Sequence, residues 1–176
     1  QTLTNDKARQ EAIYKKTTEL YPNDFRAYNN LGMMAYANGD FTTAENYFKQ
    51  AASKNANAPE VNTNLGYIEM VKGNVANAET YLSKSTGANT ANEALGNLYI
   101  KQGQYDRAVQ AFGDTKTNSA ALAQILAKDY NKAKNTLNAV QNPDAYTDYL
   151  MAIVGARTNN ADLVKTCLLY TSDAAD

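Results

Sequence analysis

The stretch "LGMMAYANGDFTTAENYF", residues 31–48, indicates two helices joined by a short polar turn at Asn38-Gly39-Asp40. Its apolar residues recur at spacings of three, four and seven, which is typical of one face of a helix. Gly32 lies inside the first predicted helix, where glycine costs about 1 kcal/mol relative to alanine. That cost indicates a compensating contact, such as a close approach between two helices.

The composition excludes several classes of protein. The chain has 176 residues, of which 44% are hydrophobic and 20% charged, so a globular domain or a short repeat array is expected rather than a disordered chain. Its formal net charge is −1, without a long run of either sign, so we expect no nucleic-acid partner. No apolar run approaches the roughly 18 residues that span a bilayer, so no transmembrane segment is predicted.

The absence of histidine restricts the available chemistry. Without histidine the chain lacks the commonest general base and the usual metal ligand, and its single Cys167 rules out an internal disulfide. We therefore expect no cofactor, no metal site and no enzymatic activity. An acid pair formed by Glu69 and Glu93 across neighbouring helices is the remaining catalytic hypothesis, and a solvated or partner-facing pair is the favoured alternative.

Both ends of the chain suggest a fragment. The chain starts at Gln1 without a methionine, so its export signal cannot be judged. The final ten residues, "CLLYTSDAAD" at 167–176, resemble a translated sequencing-library adapter, and the alternative is a genuine helix end with a polar tail. We predict that this tail is artefactual and exclude it from the fold prediction.

The opening pattern recurs along the chain. Gly32 is followed by Gly66 and Gly96, at spacings of 34 and 30 residues. The other recurring positions are Leu31, Leu65 and Leu95; Ala44, Ala78 and Ala108; and the turn glycines Gly39, Gly73 and Gly103. A degenerate copy aligns Tyr130, Ala133 and Leu137 with Tyr105, Ala108 and Phe112. Such self-similarity is typical of stacked helical repeats, because one unit cannot bury its apolar face alone.

This alignment predicts one helical array over residues 1–166. Residues 1–24 form the second helix of a truncated repeat, and residues 143–166 form another truncated repeat. Three full repeats cover 25–58, 59–88 and 89–117, and the degenerate repeat covers 118–142.

These residues resemble the tetratricopeptide repeat (TPR), whose pattern includes W-x2-L-G-x2-Y, A-x3-F and a closing proline over about 34 residues. The best copies give Leu31-Gly32 with Ala44-x3-Phe48, and Leu95-Gly96-x2-Tyr99 with Ala108-x3-Phe112. The chain departs from the pattern in having no tryptophan, in Glu69 at the aromatic position, and in Ala56 at the closing proline. The resemblance implies an all-α fold, a right-handed superhelical solenoid of antiparallel helix pairs.

The resemblance also implies a binding surface. In this family the first helix of each repeat lines a concave groove that holds extended peptides or partner helices. The corresponding residues, which we predict to form the groove, are Asn29, Met33, Tyr36 and Ala37; Thr63, Tyr67, Met70 and Val71; and Glu93, Asn97, Ile100 and Lys101. Alternatively, Met33, Tyr36, Met70 and Ile100 pack between neighbouring first helices. A clamp for a C-terminal carboxylate is not expected, since the first two repeats offer no lysine or arginine on this stripe. The asparagines, among them Asn29-Asn30 and Asn159-Asn160, are otherwise expected at exposed surfaces and helix caps.

Two functions follow from these expectations. The first is a non-catalytic scaffold that binds a protein or peptide partner in the concave groove. The second is a structural or spacer module of a larger cell-envelope protein, because "ELYPNDFRAYNNLGM" and "DYLMAIVGARTNN" resemble the C-terminal repeat region of Bacteroidota OmpA-like, peptidoglycan-associated lipoproteins. That second resemblance implies a periplasm-facing outer-membrane lipoprotein.

Overall fold

The computed structural model describes residues 2–85 and 89–166, and these residues form helices without any β-strand. The predicted artefactual tail, residues 167–176, lies outside the described residues. The helices are α1 (Thr2–Leu20), α2 (Phe25–Ala37), α3 (Phe41–Lys54), α4 (Pro59–Val71), α5 (Val75–Ser83), α6 (Asn89–Lys101), α7 (Tyr105–Phe112), α8 (Asn118–Leu126), α9 (Tyr130–Asn138) and α10 (Ala145–Arg157). Residues 161–166 are also helical. The all-α prediction is confirmed.

Successive helices form hairpins with the same turn. In each of five turns a residue with positive φ follows the first helix: Gly39, Gly73, Gly103, Lys128 and Asn159. The next residue then donates its backbone N–H to a carbonyl five residues back, as Asp40 does to Ala35 at 2.9 Å and Asp129 to Gln124 at 2.8 Å. This left-handed cap satisfies carbonyls that the helix leaves unpaired. It therefore marks five equivalent hairpins, including those where glycine is absent.

Side-chain caps fix the starts of several helices, among them α3, α9 and α10. Asp40 accepts a hydrogen bond from the backbone N–H of Thr43 at 3.1 Å, and Asp129 accepts one from Lys132 at 3.2 Å. Asp144 and Thr147 form a reciprocal capping box at the start of α10. Each cap satisfies a backbone donor that the first turn leaves free.

The small residues lie where the two helices of a hairpin approach each other. A Cβ on Gly32 would lie 2.5 Å from the ring of Phe48, and one on Gly96 would lie 2.5 Å from the ring of Phe112. Ala44, Ala78 and Ala108 are fully buried on the facing helices. These contacts explain why the sequence accepts the helical cost of glycine at these positions.

The chain divides between Ala91 and Asn92 into two compact units, which are described separately. In the first unit, α2 packs on α1 and α3, and α4 packs on α3 and α5. Its apolar core consists of Ala44, Phe48, Ala51, Ala58, Val61, Leu65 and Ile68. Helices α3 and α4 therefore share one core, and partly buried residues of α2 and Tyr81 of α5 pack against it.

In the second unit, α8 packs on α7, α9 and α10. Its apolar core consists of Ala121, Ile125, Ala133, Leu137, Leu150, Met151 and Val154. Ala121 occupies the position of Gly96 in the preceding hairpin, and Leu137 occupies that of Phe112. The degenerate repeat thus keeps the same small-against-large arrangement with different residues.

Candidate functional site

Apolar side chains remain accessible on α2 and α4, the first helices of two successive hairpins in the first unit. Met33 is 48% exposed and Val71 is 47% exposed. Tyr36, Tyr67 and Met70 are half-buried, and Tyr36 packs edge-on against Phe41 with ring centroids 5.2 Å apart. We call the accessible residues Met33, Tyr36, Ala37, Tyr67, Met70 and Val71 the α2–α4 face. Large apolar groups at this exposure are available for contact with another molecule.

Two predicted groove residues of the same helices are buried. Asn29 is 8% exposed, and its Oδ1 accepts a hydrogen bond from Nδ2 of Asn64 on α4 at 2.9 Å. The buried Thr63 hydroxyl donates to the Pro59 carbonyl one turn earlier at 2.8 Å. Both side chains use polar atoms within the fold, and the Asn29–Asn64 bond ties one hairpin to the next.

The general expectation that asparagines lie at exposed surfaces and caps is wrong for three of them. Asn29, Asn62 and Asn64 are buried. Nδ2 of Asn62 donates to the carbonyls of Ala56 and Ala58, at 3.0 and 3.2 Å. An asparagine is tolerated in these positions because its amide is paired. Asn160 does serve as a cap, since its Oδ1 accepts from the N–H of Leu163 at 3.1 Å.

The remaining predicted site residues lie on α6 in the second unit. Glu93, Asn97 and Ile100 are half-buried, and Lys101 is exposed at the end of the helix. They form a more polar and more highly charged stripe than the α2–α4 face. Their part in a groove stays a prediction.

A polar cluster surrounds Glu69 at the end of α4. The Glu69 carboxylate accepts hydrogen bonds from Asn74 at 2.9 Å, Lys72 at 3.2 Å and Asn77 at 3.3 Å. Lys72 also pairs with Glu45 of α3 at 3.1 Å. The hydrogen bond from Asn74, together with those from Lys72 and Asn77, lowers the pKa of Glu69. A general acid needs the opposite shift, so this cluster suits helix–helix attachment rather than proton transfer.

The structure reveals one accessible aromatic pair that the sequence interpretation missed. Tyr146 and Tyr149 on α10 are 43% and 59% exposed, and their rings stack with centroids 6.3 Å apart. Counted back from the turn residue, which is Asn159 here and Gly39 in the first hairpin, these tyrosines occupy the positions of Arg26 and Asn29. The capping residue Asp144 and the spacing of three between the tyrosines were available signals, but the truncated repeat has Met151 and Ala152 in place of the leucine–glycine pair on which the alignment rested.

Within residues 2–85 and 89–166 no group of three histidine, cysteine, aspartate or glutamate side chains could hold a metal ion. None of the helices described there combines the length and apolar character that crossing a membrane requires.

Comparison with known families agrees with the hairpin geometry. Three family models, each described as a tetratricopeptide repeat, match residues 13–46, 30–93 and 92–116. Residues 13–116 are tetratricopeptide repeats. The left-handed turns, and the glycines that face Phe48, Leu82 and Phe112, are consistent with the TPR assignment. No curated protein sequence matches the chain significantly.

Solved structures share this TPR fold at low sequence identity. PilF of Pseudomonas aeruginosa matches with a TM-score of 0.79 and 12% identity, covering 98% of this chain and 86% of that one. PilW, a type IV pilus biogenesis factor, matches with a TM-score of 0.70 and 19% identity, covering 94% and 84%. YrrB, a TPR protein with an unusual peptide-binding site, matches with a TM-score of 0.68 and 18% identity, covering 88% of each chain. At these identities the likeness concerns the fold.

Proposed function

We propose that this TPR array is a non-catalytic scaffold that binds a protein partner through the α2–α4 face. The observation that carries the proposal is the exposure of Met33 and Val71 on neighbouring first helices of the same compact unit. Side chains of this size are normally buried, and polarizable methionine suits a surface that adapts to a partner. The fold gives supporting context, since TPR domains are generally interaction modules.

The partner's chemistry is partly constrained by the residues of the face. Accessible Met33, Met70 and Val71 provide apolar contact, and the rings of Tyr36 and Tyr67 provide area at low entropic cost. Interfaces of proteins are enriched in aromatic residues and methionine. A few such anchors supply most of the binding free energy.

The test is capture of partners by the purified chain in extracts of its source organism, followed by comparison of variants. Met33→Asp and Val71→Asp place a charge on the proposed face, and Ala76→Asp places the same charge on an exposed position of α5. We expect the first two variants to lose partners that the wild type and Ala76→Asp retain. Equal capture by all four proteins, with equal thermal stability, would remove the α2–α4 face from consideration.

We propose as the second candidate a structural module of a larger envelope lipoprotein. Its support is the resemblance of the repeat sequences to those of OmpA-like lipoproteins, together with the TPR fold shared with a type IV pilus biogenesis factor. Recovery of the intact gene tests it. An upstream lipobox and a peptidoglycan-binding segment are expected, and a cytoplasmic catalytic domain would contradict the proposal.

A further inference from the structure

We infer that the α2–α3 hairpin carries a binding cleft for a small molecule with one aromatic ring and a hydroxyl group. The cleft lies between α1, α2 and α3 and is separate from the α2–α4 face. The inference therefore does not depend on the proposed scaffold function. It rests on a position at which this hairpin lacks a side chain that the next three hairpins have.

One position of the first helix distinguishes the α2–α3 hairpin from the three that follow it. Four residues before the turn residue, those hairpins carry Glu69, Tyr99 and Gln124. These side chains are buried, at 7%, 5% and 1% exposure. The α2–α3 hairpin carries Ala35 at this position, and Ala35 is only half-buried. The small side chain leaves unfilled a place that a large one occupies elsewhere.

A cleft of about 260 Å³ lies at this place. Its apolar lining comes from Leu31, Met34 and Ala35 of α2, and the Tyr47 side chain lines it from α3. A cavity of about 150 Å³ with apolar walls is sufficient to bind benzene. The cleft therefore has room for one substituted ring.

Tyr99 indicates which chemical group suits this position. Its side chain is buried in the α6–α7 hairpin, and its hydroxyl accepts a hydrogen bond from Arg107 at 2.8 Å. A phenol bound beside Ala35 would contact Met34 and Tyr47. Methionine sulfur and tyrosine rings both make favourable contacts with aromatic rings. A free phenol can thus replace the tyrosine side chain that this hairpin lacks.

The charges around the cleft disfavour a carboxylate ligand. In the α4–α5 hairpin, the Glu69 carboxylate accepts hydrogen bonds from Asn74 and Asn77. The corresponding residues of the α2–α3 hairpin are Asp40 and Thr43, and both line the cleft. A bound carboxylate would therefore lie near another carboxylate, where the α4–α5 hairpin offers amides.

The basic residue of the cleft does not change this balance. Lys15 is already paired with Glu11 of the same helix at 2.7 Å. A neutral hydroxyl suits the remaining polar groups, because it can donate to the Asp40 carboxylate and accept from the Asn38 amide, which also lines the cleft. The ligand is therefore an uncharged phenol.

A free small molecule suits the cleft better than a tyrosine presented by a protein. The exposed large apolar side chains of the first unit, such as Met33, Phe41 and Val71, lie outside the lining of the cleft. A protein would gain little apolar contact there beyond its tyrosine. Protein interfaces need several buried anchors that lie close together.

The probe is p-cresol, which is the tyrosine side chain as a free molecule. Titration followed by amide NMR spectra measures its dissociation constant and locates its site. Ala35→Tyr fills the cleft, and Ala37→Tyr is the matched control, at an exposed position of α2 outside the lining. Thermal unfolding verifies that each variant is folded. Ala35→Met supplies a second filled cleft in case Ala35→Tyr does not fold.

We expect p-cresol to bind the wild type and Ala37→Tyr with equal affinity and to shift the signals of Asn38 and Tyr47. Its affinity for Ala35→Tyr and Ala35→Met should be lower by at least roughly tenfold. Benzoate should likewise bind the wild type at least roughly tenfold more weakly than p-cresol does.

Three results would overturn the inference. Failure of p-cresol to bind the wild type, or equal binding to the filled variants, would remove the site. Benzoate binding as tight as that of p-cresol would exclude the phenol class. Tighter binding of a capped tripeptide with tyrosine between two alanines would replace the free molecule by a protein side chain.

Discussion

The side chain of Leu82 on α5 lies directly over the backbone of Gly66 on α4. A Cβ added to Gly66 would lie 2.8 Å from both Cγ and Cδ2 of Leu82, closer than real Cβ contacts allow. Leu82 is fully buried, so it has little room to move. The absence of a side chain at Gly66 is therefore a requirement of the hairpin.

The first prediction reverses the usual effect of replacing a helical glycine. In an exposed helix Gly→Ala stabilises by about 1 kcal/mol, but Gly66→Ala should destabilise by roughly 1–3 kcal/mol through overpacking. The midpoint of urea unfolding measures the change. In a Leu82→Ala background, which itself costs about 2–5 kcal/mol, the same Gly66→Ala substitution should become neutral or stabilising. A destabilisation that is equal in both backgrounds would refute the contact.

The second prediction concerns the turn of the degenerate repeat. Lys128 has φ of 65° where the three full repeats have glycine. A non-glycine residue in this conformation is strained, so Lys128→Gly should stabilise the second unit by up to about 1 kcal/mol. Its neighbour Ala127 has φ of −78°, so Ala127→Gly should instead destabilise. Thermal unfolding of the two variants should shift in opposite directions, and a common downward shift would show that the turn is unstrained.

The third prediction concerns Gln124, which is fully buried on α8. Glu69 and Tyr99 occupy the equivalent position in two other hairpins, and both are hydrogen-bonded. Glu69 accepts a hydrogen bond from Asn74, and the Tyr99 hydroxyl accepts one from Arg107 at 2.8 Å. Oε1 of Gln124 has no hydrogen-bond partner among the residues that the structure describes. Because an unpaired buried acceptor costs about 1–3 kcal/mol, Gln124→Met should raise the free energy of unfolding.

A matched control for Gln124→Met is Gln110→Met, at an exposed position of α7. We expect Gln110→Met to change the free energy of unfolding by no more than a few tenths of a kcal/mol, since the effect of a surface substitution is usually within about 0.5 kcal/mol. If Gln124→Met lowers the unfolding midpoint and Gln110→Met does not, the Gln124 amide contributes favourably and the prediction is wrong.

The fourth prediction is a pH dependence that originates at Glu69. The hydrogen bonds from Asn74, Lys72 and Asn77 lower its folded-state pKa below the ordinary value of 4.5. The folded protein therefore favours the carboxylate, and the resulting stabilisation is present above pH 4.5 and is lost as the pH falls through the folded pKa. Glu69→Gln should lower stability at pH 7 and reduce the loss of stability below pH 4.5.

The control for this substitution is Asp114→Asn, at an exposed position after α7. Unfolding free energies measured from pH 3 to pH 7 should place Asp114→Asn close to the wild type. The same slope in Glu69→Gln and the wild type across the acidic range would assign the acid sensitivity to other carboxylates.

The sequence by itself determined the architecture. The recurrence of Gly32 as Gly66 and Gly96, with a turn glycine after each, predicted paired helices, and the described residues form helices that pack in consecutive pairs. This succeeded because helical periodicity and turn chemistry are local, and because steric contact at a hairpin recurs whenever the spacing does.

Only the tertiary structure decided which polar groups remain available. Asn29 and Thr63 are polar residues on the predicted groove stripe, yet Oδ1 of Asn29 accepts from Asn64 and the Thr63 hydroxyl donates to the Pro59 carbonyl. Lys128 in a glycine conformation and the accessible Tyr146–Tyr149 pair were likewise invisible to the repeat pattern. The physical reason is that a side chain's partner depends on which helix packs opposite it, and the amino-acid order within one helix does not specify that neighbour.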